Sequence, residues 1–426
     1  MGRHGPEAGN ATALWGLWGL RFAGVHGRRP RGLTNFALVK LAVEVVDSVA
    51  EVPAEDWDRM VDPLDGSPFV EWRFLRSLER ADTVEASTGW IPRFALLKRG
   101  NRVVAACPAY IKLHSKGEFV FDFAWADLAQ RLGIDYYPKL LVGIPFTPVT
   151  GPRLLVAPDE DPAAMRRALA EVLVEMCAQM DLSSVHVNFT NEAEVEAMEQ
   201  AGFHPRLGIQ YHWHRHGETS FEDYLQRFKS KKRNQLKREL REPKGQGVRI
   251  ETLEGDQLRG TADLAYRLYR STVDKFFWGQ RYLTRKIFRI WTEELADRMR
   301  LVVARREDGE PVAGAVNFEK GRRLYGRYWG CFEELRHLHF NVCYYHGVRD
   351  CYDRGLDVFE PGAGGDHKLV RGFEPTLMRS AHYLRDPRFS QLLGPYLERE
   401  RRAVAQEQSA MLDAMGWNAG GATSPS

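Results

Sequence analysis

Gly202-Phe203-His204-Pro205-Arg206-Leu207, closing on His212-Trp213, is written a second time as Gly372-Phe373-Glu374-Pro375-Thr376-Leu377, closing on His382-Tyr383. Gly, Phe, Pro, Leu, His and a final aromatic hold the same offsets in both. A second pair lies upstream in the same order. Leu97-Lys98-Arg99-Gly100-Asn101-Arg102-Val103-Val104-Ala105-Ala106 matches Ala304-Arg305-Arg306-Glu307-Asp308-Gly309-Glu310-Pro311-Val312-Ala313-Gly314. Each copy is an apolar strand, a charged Gly turn and another apolar strand. Repeats that keep their order point to a duplicated unit. Strands alternate with helical patterns between the anchors, so the unit is α/β, and the functional question becomes what its two halves hold between them.

The copies differ in length. Gly100 to Gly202 is longer than Gly309 to Gly372 by roughly 40 residues, and an insertion of that size is more often functional than neutral. It coincides with the Pro-rich, aromatic segment 113–155, which ends in Gly143-Ile144-Pro145-Phe146-Thr147-Pro148-Val149-Thr150-Gly151-Pro152. So much Pro and Gly breaks both helix and strand. Elsewhere the pattern predicts helices over Ala163–Met180, Thr284–Arg298 and Phe340–Arg354. A further helix starts at the capping pattern Ser220-Phe221-Glu222-Asp223 and is stopped by Pro243 and Gly245.

The 426 residues set a prior of about two to three domains, and 44% hydrophobic with 27% charged residues is ordinary for a globular core. Net charge is only +3. Arg3, Arg21, Arg28, Arg29, Arg31 and Lys40 face Glu7 alone in the first 42 residues, so the rest is slightly acidic and bulk charge makes no case for nucleic acid. Residues 1–42 read as a disordered basic leader, 43–217 and 218–397 as the two domains, and 398–426 as a helical, then disordered tail. Cys107, Cys177, Cys331, Cys343 and Cys351 are odd in number and unpaired in spacing, which argues for a reducing compartment. No apolar run approaches the ~20 residues of a membrane span. The expected location is the cytoplasm.

Glu360-Pro361-Gly362-Ala363-Gly364-Gly365-Asp366-His367-Lys368-Leu369-Val370-Arg371-Gly372-Phe373 carries the densest chemistry. A strand runs into a Gly-rich turn that lets a ligand approach the backbone. Lys368 and Arg371 there suit an anion or a developing negative charge, and His367 suits proton movement near neutral pH. A solvated surface turn has the same composition. Arg227, Lys229, Lys231, Lys232, Arg233, Lys237, Arg238 and Arg241 read either as a site for a phosphate-rich partner, such as transfer RNA, or as a solvated helix face. His212, His214 and His216 alternate on one strand face, but no carboxylate or Cys at ligand spacing supports a metal, and none is expected. Tyr325-Gly326-Arg327-Tyr328-Trp329-Gly330 and Cys343-Tyr344-Tyr345-His346 set aromatics around one Arg. GxSxG, Walker A, GxGxxG and HExxH patterns are absent, so the chain is not a typical α/β-hydrolase, P-loop NTPase, dinucleotide dehydrogenase or zincin.

Several blocks together resemble one family. They are Tyr136-Tyr137-Pro138-Lys139-Leu140 with Pro145–Leu154, Gly208–Trp213 followed by Lys231-Lys232-Arg233, Leu324–Gly330 with Leu338-His339-Phe340 and Cys343-Tyr344-Tyr345, and Glu360–Ala363 with His367-Lys368, Arg371-Gly372-Phe373 and Ser380-Ala381-His382. From about Val43 to Leu397 they resemble the FemAB-like peptidoglycan biosynthesis or recognition proteins of the acyl-CoA N-acyltransferase (GNAT-like) superfamily. The resemblance implies two tandem GNAT-like α/β domains, each a mixed central sheet flanked by helices. It implies transfer of an acyl or aminoacyl group to an amine, with acyl-CoA or aminoacyl-tRNA as donor and a peptidoglycan precursor as acceptor. Lys368 matches the lysine thought to stabilise the transition state in Fem-type relatives. The expected cleft lies between the copies, with His367 assisting proton transfer. Arg327, Tyr328, Trp329, Tyr344, Tyr345, Glu360, Asp366, Arg371, Tyr137 and Lys139 bind substrate, and Lys231, Lys232 and Arg233 bind phosphate or tRNA. The acyl-CoA pyrophosphate signature is not evident before the Phe340 helix. A non-catalytic module binding a peptidoglycan precursor or RNA, and an acyl-CoA-dependent enzyme, are the alternatives.

Overall fold

The computed structural model describes residues 41–62, 66–275 and 280–415. The leader expected over 1–42 lies outside the described residues except for its last two, and so does the tail beyond Met415. The strands are β1 (Leu41–Val46), β2 (Trp90–Pro92), β3 (Phe94–Arg99), β4 (Arg102–Cys107), β5 (Ala109–Lys112), β6 (Lys139–Val142), β7 (Leu155–Val156), β8 (Ser184–Thr190), β9 (His204–His214), β10 (Val248–Leu253), β11 (Met299–Arg306), β12 (Pro311–Lys320), β13 (Arg323–Cys331), β14 (Val358–Glu360) and β15 (Glu374–Leu384). They form a small sheet, β1-β3-β4-β7, and a large one, β10-β11-β12-β13-β14-β9-β15-β8-β6-β5-β2.

The repeated motif forms the centre of the large sheet. β9 and β15 pair antiparallel from Glu374↔His212 to His382↔His204, so the two copies of the motif lie against each other. β9, from the first copy, takes β14 of the second as its other neighbour, and β15 takes β8 of the first. The last strand of each copy therefore completes the sheet of the other. Parallel pairs β6–β8 and β13–β14 flank this seam. β8 is buried along its whole length, as a strand covered on both faces must be.

Helices close the faces. Helix Pro162–Gln179 starts on Asp161, whose side chain accepts from the Ala163 and Ala164 amides, and buries Leu169, Leu173 and Met176. Helix Pro387–Met415 lies across β9 and β15 and buries Phe389, Leu393 and Leu397 at four-residue spacing. Aromatic rings join the copies: Phe69 meets Phe318 and Tyr325 at 5.4 and 5.3 Å, and Phe74 stacks on Trp291 at 5.6 Å. Such pairs add about 1 kcal/mol each beyond their buried area. None of the helices among the described residues is long and apolar enough to cross a membrane.

Three expectations change. The helix expected from Phe221 is two, Phe221–Gln226 and Ser230–Gly245, because Arg227 turns inward between them to pair with Glu218 and the His214 carbonyl. Segment 113–155 is not all loop: it holds helix Phe123–Arg131 as well as β6. The helix expected from Phe340 begins at Leu338 and contains a π turn over Asn341–Tyr345, a wider turn that recurs at functional sites.

Candidate active site

β13 and β14 pair over three residues only, ending at Tyr325↔Glu360. Pro361 then ends β14, and Gly326 faces it so closely that a Cβ there would stand 3.1 Å from the Pro361 backbone. The strands part at this point, and the Gly-rich turn fills the mouth. Gly362, Gly364 and Gly365 take positive φ, which the chain needs to fold back into the short helix Asp366–Arg371.

Lys368 is carried inward on that helix and is 2% exposed. Its Nζ donates to the Gly362 carbonyl at 2.5 Å and has no carboxylate partner among the described residues. Burial pushes its pKa down to about 8. Glu360 is 3% exposed. One carboxylate oxygen accepts from Arg323 at 3.5 Å, and the other has no hydrogen-bond partner among the described residues. Burial pushes Glu360 up to about 7 against the opposing pull of Arg323, Arg327 and Arg153. His212 Nε2 lies 3.8 Å from that second oxygen. Burial, with His214, Arg323 and Lys368 nearby, holds the His212 ring neutral.

An aromatic wall stands beside the lysine. His367 is exposed, and its Nε2 is 2.8 Å from the Tyr344 hydroxyl. His339, Phe340, Tyr344 and His367 contact one another with centroids 5.3 to 6.1 Å apart, and Trp329 meets His339 at 5.0 Å. Burial and the charges of His367, Lys368 and Arg371 take His339 down to about 4, so it is neutral. Arg327, on β13, donates to the Phe146 carbonyl of the insertion at 2.6 Å. Phe146 also lines a cavity of about 280 Å³ with His114, Lys116, Arg281 and Tyr282, on the seam between the copies.

Of the residues expected to act, the structure sets His367, Tyr344 and Trp329 around His339, which also feels the charge of Lys368, and sets Glu360 within the fields of Arg323 and Arg327; His212, beside Glu360, feels Lys368 as well. Others sit apart. Arg371 is occupied by Glu239 (2.9 Å) and the His367 carbonyl (2.8 Å), and Tyr345 donates to the same Glu239 at 2.5 Å. Tyr328 faces the aromatic core of Tyr269, Phe288 and Trp291. Tyr137 and Lys139 lie in the first copy, where Tyr137 meets Ser115 at 2.7 Å and Lys139 is enclosed by Ser115, Glu118 and Asp122. Lys231 is exposed on helix Ser230–Gly245, with Lys232 and Arg233 half-buried beside it. The Asp366 side chain lies outside the described residues. Glu239 and Arg153 escape a sequence reading. The signal for Glu239 is that it alone is acidic within Lys229–Leu240. Arg153 carries no local signal: its guanidinium is buried against the Asn188 and Val149 carbonyls, at 2.9 and 2.6 Å.

Comparison with known proteins sets this site in a family. FemX aligns with 14% identity over 80% of this chain and 98% of its own, at a TM-score of 0.49. L-PGS from Bacillus licheniformis aligns with 9% identity over 76% and 95%, at 0.46. The C-terminal DUF2156 domain of an Agrobacterium fabrum protein assigned as a lysylphosphatidylglycerol synthetase aligns with 12% identity over 86% and 97%, at 0.50, which shows a shared fold. No curated protein sequence matches. The fold is two α/β copies that share one mixed sheet, and the sequence matches the FemAB-like family, described as peptidoglycan biosynthesis/recognition, over residues 48–418. The chain belongs to the FemAB-like family.

Proposed function

We propose that this protein is a Fem-type N-acyl- or aminoacyltransferase that joins an activated acyl group to an amine. The observation that carries the reading is Lys368, a desolvated cation without a carboxylate partner among the described residues, held where β13 and β14 part. Attack of an amine on an ester places negative charge on the carbonyl oxygen, and a fixed cation in a water-poor site stabilises that charge strongly. The Gly362 carbonyl holds Lys368 at rest, so an incoming carbonyl oxygen meets a lysine already aimed. His367, exposed and joined to the Tyr344 hydroxyl, exchanges protons with solvent. Trp329 and the aromatic wall seat the substrate, and Arg327 holds an anionic part of it.

The family description supports a peptidoglycan precursor as acceptor. The cations Lys231, Lys232 and Arg233, continued by Lys237, Arg238 and Arg241 on the exposed side of helix Ser230–Gly245, support a phosphate-rich donor. With no pyrophosphate signature in the sequence, aminoacyl-tRNA is favoured over acyl-CoA, and such a donor places the reaction in the cytoplasm. The test is transfer of labelled amino acids from bulk aminoacyl-tRNA, or of acetyl from acetyl-CoA, to UDP-linked muramyl pentapeptide. Lys368→Ala is expected to lower kcat by about 10²-fold or more while the circular dichroism stays native. Unchanged turnover removes Lys368 from the mechanism. Binding of the pentapeptide without transfer from either donor replaces the enzyme with a recognition module.

A further inference from the structure

We propose that Glu360 is the group that accepts the proton of the attacking amine, with His212 as its positioning residue; the assignment rests on the transferase reading above. The position comes first. Glu360 is the last residue of β14, fixed between β13 and β9 at the point where the sheet opens. Pro361 and the close approach of Gly326 leave its backbone no freedom to withdraw.

The carboxylate is half satisfied. Arg323 reaches one oxygen, and the other faces His212 at a distance too long for a hydrogen bond. A buried acceptor left unpaired costs about 1–3 kcal/mol. Glu118 and Asp122, around Lys139, also each keep one oxygen without a hydrogen-bond partner among the described residues, so it is the place of the Glu360 oxygen, at the end of β14 beside His212, that suits a base. Arg323, Arg327, Arg153 and His212 are the charged or titratable groups around it. The three arginines favour the carboxylate, yet burial keeps it protonatable near neutral pH. His212 is held by Gln210 at 3.4 Å, and the Gln210 amide is tied to the Pro148 carbonyl at 3.1 Å, so the ring backs the free oxygen from a fixed position.

The repeat supplies an internal comparison. Tyr325↔Glu360 in the second copy corresponds to Leu141↔His186 in the first. Glu360 faces His212, and His186 faces His382, the matching histidine of the motif. The proton-active position is thus present twice. In the first copy it is closed: His186 Nδ1 meets His382 Nδ1 at 2.7 Å, and its Nε2 meets Ser184 at 2.8 Å. Lys139, at the position of Arg323, is neutralised by Glu118 and Asp122 from the insertion. At the equivalent position His186 has both ring nitrogens engaged, whereas Glu360 keeps one oxygen without a hydrogen-bond partner among the described residues.

The step balances with an ester-linked donor. The amine nitrogen attacks the ester carbonyl carbon, forming the C–N bond and placing the carbonyl π electrons on oxygen beside Lys368. The nitrogen's proton moves to the free Glu360 oxygen. Collapse breaks the C–O bond, and the departing alkoxide takes that proton, leaving amide, alcohol and the original carboxylate.

The test joins two measurements on the full chain. The first is a ¹³C NMR titration of protein labelled with [δ-¹³C]glutamate, in which Glu360→Gln identifies the resonance. The second is transfer from bulk aminoacyl-tRNA to UDP-linked muramyl pentapeptide. A Glu360 carboxyl titrating near neutrality supports the proposal, and one titrating below pH 5 overturns it. Glu360→Gln is expected to lose about 10²-fold or more in kcat with little change in KM and to lose the acidic limb of the pH profile, with partial recovery in Glu360→Asp. His212→Asn is expected to move that limb. Turnover of Glu360→Gln within threefold of wild type, with Lys368→Ala inactive, overturns the proton assignment and keeps the transferase. If wild type transfers nothing, the transferase reading falls and the proposal, which rests on it, falls too; the NMR titration then shows whether Glu360 itself titrates near neutrality.

Discussion

Lys368 and Glu360 have each lost their water, and their titrations move toward one another. The lysine falls to about 8 and the glutamate rises to about 7. The proposed mechanism needs Glu360 ionised and Lys368 protonated, so kcat/KM should rise through about pH 7 and fall through about pH 8. A profile flat from pH 6 to 9 contradicts this. Stability follows the opposite logic. Between about 4.5 and 7 the folded protein holds a proton on Glu360 that the unfolded chain has lost, so this group's contribution falls as pH rises and is fully unfavourable above 7. Between about 8 and 10.5 the unfolded chain keeps a proton that folded Lys368 has lost, so stability rises with pH there and the penalty is full below 8. Glu360→Gln should therefore raise stability at pH 8, by at most about 3 kcal/mol, measured by urea unfolding. A loss of stability makes Glu360 a structural counter-ion. Lys368 was legible in sequence because a Gly-rich turn and its charges are local. Arg371 was not, because Glu239 comes to it from a distant helix.

Among the elements, the helix Ser230–Gly245 has two faces with different work. Leu236, Glu239 and Pro243 are buried, and Glu239 ties the Gly-rich turn to the π turn through Arg371, Tyr345 and the Asn341 side-chain amide, which donates to the Glu239 carbonyl. Glu239→Gln leaves a buried guanidinium uncompensated and should cost about 3–5 kcal/mol in urea unfolding. Replacing the exposed Lys231 and Lys237 by Gln should spare stability but weaken binding of bulk tRNA and flatten its dependence on salt. Gly372 sits at φ +80°, and a Cβ there would lie 2.8 Å from the Phe228 ring. Both copies of the motif keep glycine at this offset, which is why the repeat is legible. The break at Arg227 and the π turn left no trace in hydrophobic spacing, because each is set by a tertiary contact or by a single extra residue in a turn.

At the scale of the whole molecule, the duplication was visible in sequence, but its geometry was not. Two matching motifs do not announce that they will pair with each other. The pairing exchanges their strands, so a half ending at residue 217 lacks β15 beside β8, and a half starting at 218 lacks β9 beside β14. Each half expressed alone should expose a hydrophobic strand edge and aggregate. The two expressed together should recover a soluble complex, seen by gel filtration. Separate monomeric halves would contradict the exchange.

The same central pair governs how the protein melts. Chains of this length commonly come apart domain by domain, with more than one calorimetric peak. Here neither copy can shed its outer strands without pulling its neighbour's last strand out of register. Heating should therefore give one endotherm whose van't Hoff and calorimetric enthalpies agree, with two repeats sharing a single melting temperature.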